Sequence, residues 1–228
     1  LAESWRAVND TTWEFKLRRG VKFHDGSDFT AADVKFSIER IPAVSGPNPT
    51  TIYIRRVKEV KVIDPNTVQV ITDGAAPTLP YDFIRLFIVS AKAAKDFSTK
   101  DTANEGFNSG KAAIGTGPYK FVSWTPKDQL VLDRFDGYWG GREPWQRVLR
   151  KEIPNDTARV AQLKAGQLDL IARAPAADVP TLEKDGKLTV VKIDTVYVFN
   201  MELDMREKAP QITAKDGSAL PQNPLRDP

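Results

Sequence analysis

Apolar and polar residues alternate through Trp13-Glu14-Phe15-Lys16-Leu17-Arg18, the period of two that marks a half-buried strand. Gly20 ends it, and Val21 and Phe23 suggest a second short extended piece. Asp25-Gly26 is a turn dipeptide, because glycine tolerates positive φ and aspartate can bond its own backbone. The period then changes. Ala31, Val34 and Ile38 fall on one helical face behind Thr30, and Asp33 sits three residues after that cap. Pro42 closes the helix. Valines at 57, 60 and 62, the turn Asp64-Pro65-Asn66-Thr67 and valines at 68 and 70 predict a hairpin.

Thr78 to Val89 mixes helix and strand cues. Ala91 to Phe97 predicts a short helix, and 98–112 reads as a polar loop. Two glycines and a proline, Gly115-Thr116-Gly117-Pro118, lead irregularly into a strand. Tyr119–Trp124 and Gln129–Phe135 pair as a hairpin across Pro126-Lys127-Asp128. Tyr138, Trp139 and Trp145 follow in a loop, and Val148–Ile153 is a strand. Asn155 or Asp156 caps a helix around Val160 that ends at Gly166. Leu168, Leu170 and Ile171 suggest a short buried strand, Val179–Lys184 a brief helix, and Leu188–Ile193 and Val196–Met201 further strands. Ser45–Pro49 and the last twenty or so residues are irregular.

Strand-like runs outnumber helices, and 16 prolines and 14 glycines demand many turns, so the pattern is a mixed α+β fold. The 228 residues suffice for one large domain or two small ones. A change of character near Ala113 divides the chain into 1–113 and 114–228.

Lys and Arg number 33 against 30 Asp and Glu, and the two signs are interspersed with no basic arm, so a nucleic-acid partner is not expected. The absence of cysteine excludes disulfides and thiolate metal sites. His24 is the one histidine, which leaves a catalytic zinc centre without ligands. Asp64, Asp133, Asp136 and Asp156 lack calcium-loop spacing. Gly115-x-Gly117 lacks the third glycine of a dinucleotide fingerprint, Gly110-Lys111 lacks the rest of a phosphate loop, and there is no G-x-S-x-G. No catalytic residue, metal site or cofactor is assigned.

The ordered string from Leu17 to Val34, L-R-x-G-V-K-F-H-D-G-x-x-F-T-A-x-D-V, resembles the peptide-type (family 5) solute-binding proteins of bacterial ABC importers. Gly115-Thr116-Gly117-Pro118-Tyr119 with Trp124, and the L-x-L-x-R-F-x-x-Y-W run from Leu130 to Trp139, are similar to that family in the same order. So are Ile153-Pro154-Asn155-Asp156 with Gly166-x-x-Asp169-Leu170, Tyr197-Val198-Phe199-Asn200 and the closing Pro224–Pro228. The resemblance implies a periplasmic-binding-protein-like α/β lobe one, with 1–113 mainly its additional small α+β domain and 114–228 its mixed-sheet core. It implies that the second lobe and any export signal lie outside this chain, and that apolar surface on the 114–228 sheet is exposed. His24 becomes part of a structural turn.

The implied function is extracytoplasmic, periplasmic or cell-surface, capture of a peptide or similar small solute for a membrane ABC permease. A metal chelate, an opine or an oligosaccharide is the alternative cargo, and a hydrolase on an α+β scaffold the alternative class. Asn200, at the end of the apolar Tyr197–Phe199 run, is the best polar ligand contact; a satisfied loop asparagine is the competing account. Tyr197 and Tyr53 are the aromatic candidates, with core packing as the competing role of each.

Overall fold

The alternation at Trp13–Arg18 becomes the second strand of an antiparallel sheet. In the computed structural model, which describes residues 1–44, 50–194, 203–207, 213–220 and 222–226, β1 (Ala2–Asn9) and β2 (Thr12–Leu17) form a hairpin. The helix α1 (Ala31–Glu39) follows, then β3 (Val57–Asp64) and β4 (Thr67–Thr72). The strand order is β1-β2-β4-β3. Register places Phe15 opposite Val68 and Val60 opposite Val70, so these side chains share one face. Val34 and Ile38 of α1 join them in the core, together with Phe23 and Phe29. Each such side chain contributes about 1.5–3 kcal/mol on burial. The edge strands β1 and β3 each carry two register irregularities, and β3 shows Lys58, Glu59 and Lys61 to solvent.

The mixed segment resolves into α2 (Leu79–Asp82), a 3-10 turn (Phe83–Arg85) and extended chain to Val89. α3 (Ala91–Ala94) is capped by the Ser90 hydroxyl, which accepts from Ala93 N–H at 3.3 Å. Residues 98–112 are not the polar loop that their composition suggests: α4 (Lys100–Asn108) occupies them. Its cap is a reciprocal Thr99/Thr102 pair, its buried contact is Ala103, and Phe107 lies beneath the Arg40 guanidinium at 4.9 Å. The opening residues, unassigned from the sequence, supply β1.

A second antiparallel sheet, β5 (Tyr119–Thr125), β6 (Gln129–Arg134) and β7 (Arg147–Lys151), has the order β5-β6-β7. Its first turn closes through Asp128 N–H to Thr125 O at 3.1 Å, with Lys127 at φ 63°. Val122, Trp124 and Leu149 of this sheet are exposed. α5 (Asp156–Lys164) is capped by Asn155, whose side-chain oxygen accepts from Ala158 N–H at 2.8 Å, and Gly166 follows it at φ 70°.

The described residues cluster as two compact units, Leu1–Gln162 and Leu163–Pro228. Within the second, α6 (Val179–Glu183) buries Leu182. Asn223 is buried there and donates to the carbonyls of Asp204 and Arg206 at 2.6 and 2.8 Å. The strand expected at Leu168–Ile171 is absent: these residues pair with no strand, and Leu170 is 80% exposed. Leu188–Ile193 likewise forms no strand with any of the described residues. A short apolar run becomes a strand only where a partner edge accepts its backbone, and none does so here among the described residues. The strand expected at Val196–Met201 lies outside the described residues.

Candidate functional site

The polar side of α1 organises an apolar groove in the first unit. Asp33 and Ser37 lie one helical turn apart and are both buried. Asp33 accepts from Thr30 N–H at 2.9 Å and the Thr30 hydroxyl at 3.0 Å, and its other oxygen accepts from Ala91 N–H at 2.9 Å. Ser37 Oγ accepts from Val89 N–H at 3.0 Å and donates to Val89 O at 3.3 Å. Two side chains of one helix thus satisfy the backbone of a segment more than fifty residues away, leaving few buried polar groups unmet. That segment, Leu86–Val89, is one wall of the groove.

The opposite wall is Ala113–Gly117 with Tyr119, Phe121 and Leu132. Ser90 N–H donates to Ile114 O at 3.2 Å and ties the two walls together. The cavity between them holds about 440 Å³, and Phe87, 83% exposed, stands at its rim. Gly110, at φ 83°, packs so closely on Phe121 that a Cβ there would lie 2.4 Å from the ring.

His24 lines the groove and fastens its second wall. Its backbone N–H donates to Gly115 O at 2.9 Å, Gly115 N–H donates to its Nδ1 at 3.3 Å, and its Nε2 lies 3.0 Å from Gly117 O. Phe135 meets the ring edge to face at 5.1 Å. Burial holds the imidazole below the ordinary histidine value, against the raising effect of the Gly117 carbonyl. Both ring nitrogens are committed to backbone, so His24 has no free nitrogen for general-base work.

A second, polar cleft of about 460 Å³ lies along Lys120, Asp133, Arg134, Asp136, Gln146 and Arg147. Its carboxylates are already paired. Arg147 grips Asp133 through two hydrogen bonds of 2.6 and 3.0 Å, and Asp136 accepts from both Arg134 and Arg142. Those guanidinium hydrogen bonds hold both carboxyls below the usual range. Among the described residues no group of three or more histidine, cysteine, aspartate or glutamate side chains is placed to hold a metal ion.

Of the candidate ligand residues, Tyr53 ends a 3-10 turn (Thr50–Tyr53) and is half-buried beside the core residue Ile54. Tyr197 and Asn200 lie outside the described residues. The sequence reading did not find the clamp made by Asp33 and Ser37 or the hold of His24 on the glycine loop. The only signal available for the clamp was their spacing of four on α1, next to the apolar positions Val34 and Ile38.

The profile of bacterial extracellular solute-binding proteins, family 5, matches residues 1–228. Heme-binding protein A of Haemophilus influenzae is 32% identical, over 96% of this chain and 43% of that protein. Glutathione-binding protein GsiB of Pectobacterium atrosepticum is 28% identical, over 91% of this chain and 40% of that protein. Among solved structures, the oligopeptide-binding protein AppA of Bacillus subtilis, in complex with a nonapeptide, superposes with a TM-score of 0.72. It is 29% identical, over 82% of this chain and 37% of that one. The chain therefore spans about two fifths of the length of the curated relatives it matches.

Proposed function

Because the chain belongs to the family 5 bacterial extracellular solute-binding proteins, we propose that it is part of a receptor that captures a peptide or similar small solute outside the cytoplasm. The receptor passes its cargo to an ABC permease and does no chemistry on it. The match of the family profile to the whole of 1–228 carries this reading. The commitment of both His24 ring nitrogens to backbone supports a receptor over a hydrolase. No helix among the described residues is long and apolar enough to cross a membrane.

The division into a small added domain, 1–113, and a lobe-one core, 114–228, is supported by the sheets. The four-stranded sheet lies wholly in the first part and the three-stranded sheet wholly in the second. Capture then works by closure of this lobe and a second one about a hinge, ligand favouring the closed state by its greater affinity for it. Asn200, Tyr197 and Tyr53 are the ligand contacts this chain contributes.

The test is a thermal-shift screen of the full-length protein against dipeptides to pentapeptides, glutathione included. A ligand at a hundred times its Kd stabilises by about 2.7 kcal/mol. The expected result is a concentration-dependent rise in Tm with at least one peptide, reduced in Asn200→Ala. No shift across the panel, or turnover of peptide or ester substrates, would overturn the reading.

A further inference from the structure

The hydrogen-bond partners of His24 fix its ring chemistry. Gly115 N–H can only donate, so Nδ1 must be an unprotonated acceptor. The Gly117 carbonyl can only accept, so Nε2 must carry the proton. Both contacts are satisfied by one species alone, the neutral Nε2–H tautomer. The imidazolium carries a proton on each nitrogen, and its Nδ1–H would face the Gly115 N–H, donor against donor.

We propose that His24 is a pH-sensitive latch: as the neutral Nε2–H tautomer it fastens the Gly115–Gly117 loop to the Asp25-Gly26 turn, and a second ring proton unfastens it. The loop is well placed to feel this. Gly115 is held by His24 through both its N–H and its C=O. The same loop walls the groove and leads into β5, where Phe135 N–H donates to Pro118 O at 2.8 Å. Loss of the Nδ1 contact frees the Gly115 amide while β6 and β7 keep their pairing.

The charges around the ring come from three elements and partly cancel. Asp25 on the same turn favours the imidazolium, and Lys120 of β5 opposes it. Lys92 of α3 approaches Asp25 at 3.5 Å and draws off part of its field. Partial burial of the ring is the largest influence against the imidazolium. The latch therefore holds at neutral pH and opens in acid, beginning below the ordinary histidine value of about 6.5.

A single histidine makes the test clean. With the full-length protein labelled with ¹⁵N-histidine, the native His24 ring signals give tautomer and titration directly; where flanking segments add histidines, His24→Asn identifies the signal by its loss. Amide hydrogen exchange of Gly115, corrected for intrinsic chemistry, is followed over the same pH range. The expected result is the Nε2–H tautomer at neutral pH, with Gly115 protection falling several-fold as the ring titrates. In His24→Asn, whose Oδ1 can accept in the place of Nδ1 and does not titrate, Gly115 protection stays flat. An Nδ1–H tautomer, constant Gly115 protection in the wild type, or the same acid-induced fall in both proteins would overturn the proposal. If His24→Asn does not fold, the tautomer and the concurrence of ring titration with Gly115 exchange in the wild type decide it, their absence counting against the latch.

Discussion

Removing the Asp33 carboxylate tests how α1 holds the groove wall. Asp33 is 6% exposed and accepts three hydrogen bonds, two from Thr30 and one from Ala91 N–H. Asp33→Ala ends the capping contact, a loss of about 1 kcal/mol. It also strips a buried N–H of a charged acceptor, which costs about 1.5–3 kcal/mol. Together the expected loss is about 3 kcal/mol, or a Tm lower by about 6–12 °C for a chain of this size. Thermal and urea unfolding followed by tryptophan fluorescence measure it.

The discriminating partner is Ala91→Pro. Proline at the first position of a helix is ordinarily well tolerated, because its missing N–H has no helical partner. Here that N–H is bound by Asp33, so the substitution removes the donor and sets the ring against the carboxylate. Ala91→Pro is expected to cost about 1–2 kcal/mol in the wild type and close to nothing in the Asp33→Ala background. Equal costs in the two backgrounds, or an Asp33→Ala loss below about 1 kcal/mol, would refute the clamp.

Two further outcomes are expected. Lys127 occupies the third position of the Thr125–Asp128 turn at φ 63°, after Pro126, the arrangement in which glycine is favoured. Lys127→Gly relieves about 1–2 kcal/mol of left-handed strain and loses part of that to unfolded-state entropy; the urea midpoint rises, and a fall would contradict the turn assignment. Glu14 is held below the ordinary carboxyl value by hydrogen bonds from Gln69 and Arg6, which outweigh burial. Its contribution is present above that ordinary value of 4.5 and fades as pH falls through the lower folded value. Stability measured by urea unfolding should thus decline more steeply in acid for the wild type than for Glu14→Gln, and parallel curves would show that the pair carries no pH-linked stability.

The parts of the fold legible in the sequence are those written in local periodicity. Trp13–Leu17, Ala31–Glu39 and the two hairpins each carry an apolar pattern, a turn dipeptide or a cap within a dozen residues. α4 escaped because its apolar face is thin, Ala103 and Phe107, and its cap pairs threonine with threonine where glutamate or glutamine would be the usual sign. Leu168–Ile171 misled in the opposite sense: apolar composition suggested a strand, but pairing is decided by partners elsewhere in the chain. The groove was illegible for a related reason. Asp33, Ser37 and His24 act on backbone atoms of residues 89–91 and 115–117, and a carbonyl or amide leaves no mark in a sequence. The family resemblance marked His24 and Asp33 as members of a motif without saying what they hold.

The irregular registers of β1 and β3 also bear on how copies of this protein behave in a crowded compartment. An uninterrupted outer strand offers its free N–H and C=O groups to any extended chain that drifts past. Here two slips in each outer strand break the repeat that such a chain would have to match, and Lys58, Glu59 and Lys61 keep charge at the β3 margin. The same irregularities make the margins of the four-stranded sheet poorer templates for an added strand than regular edges would be.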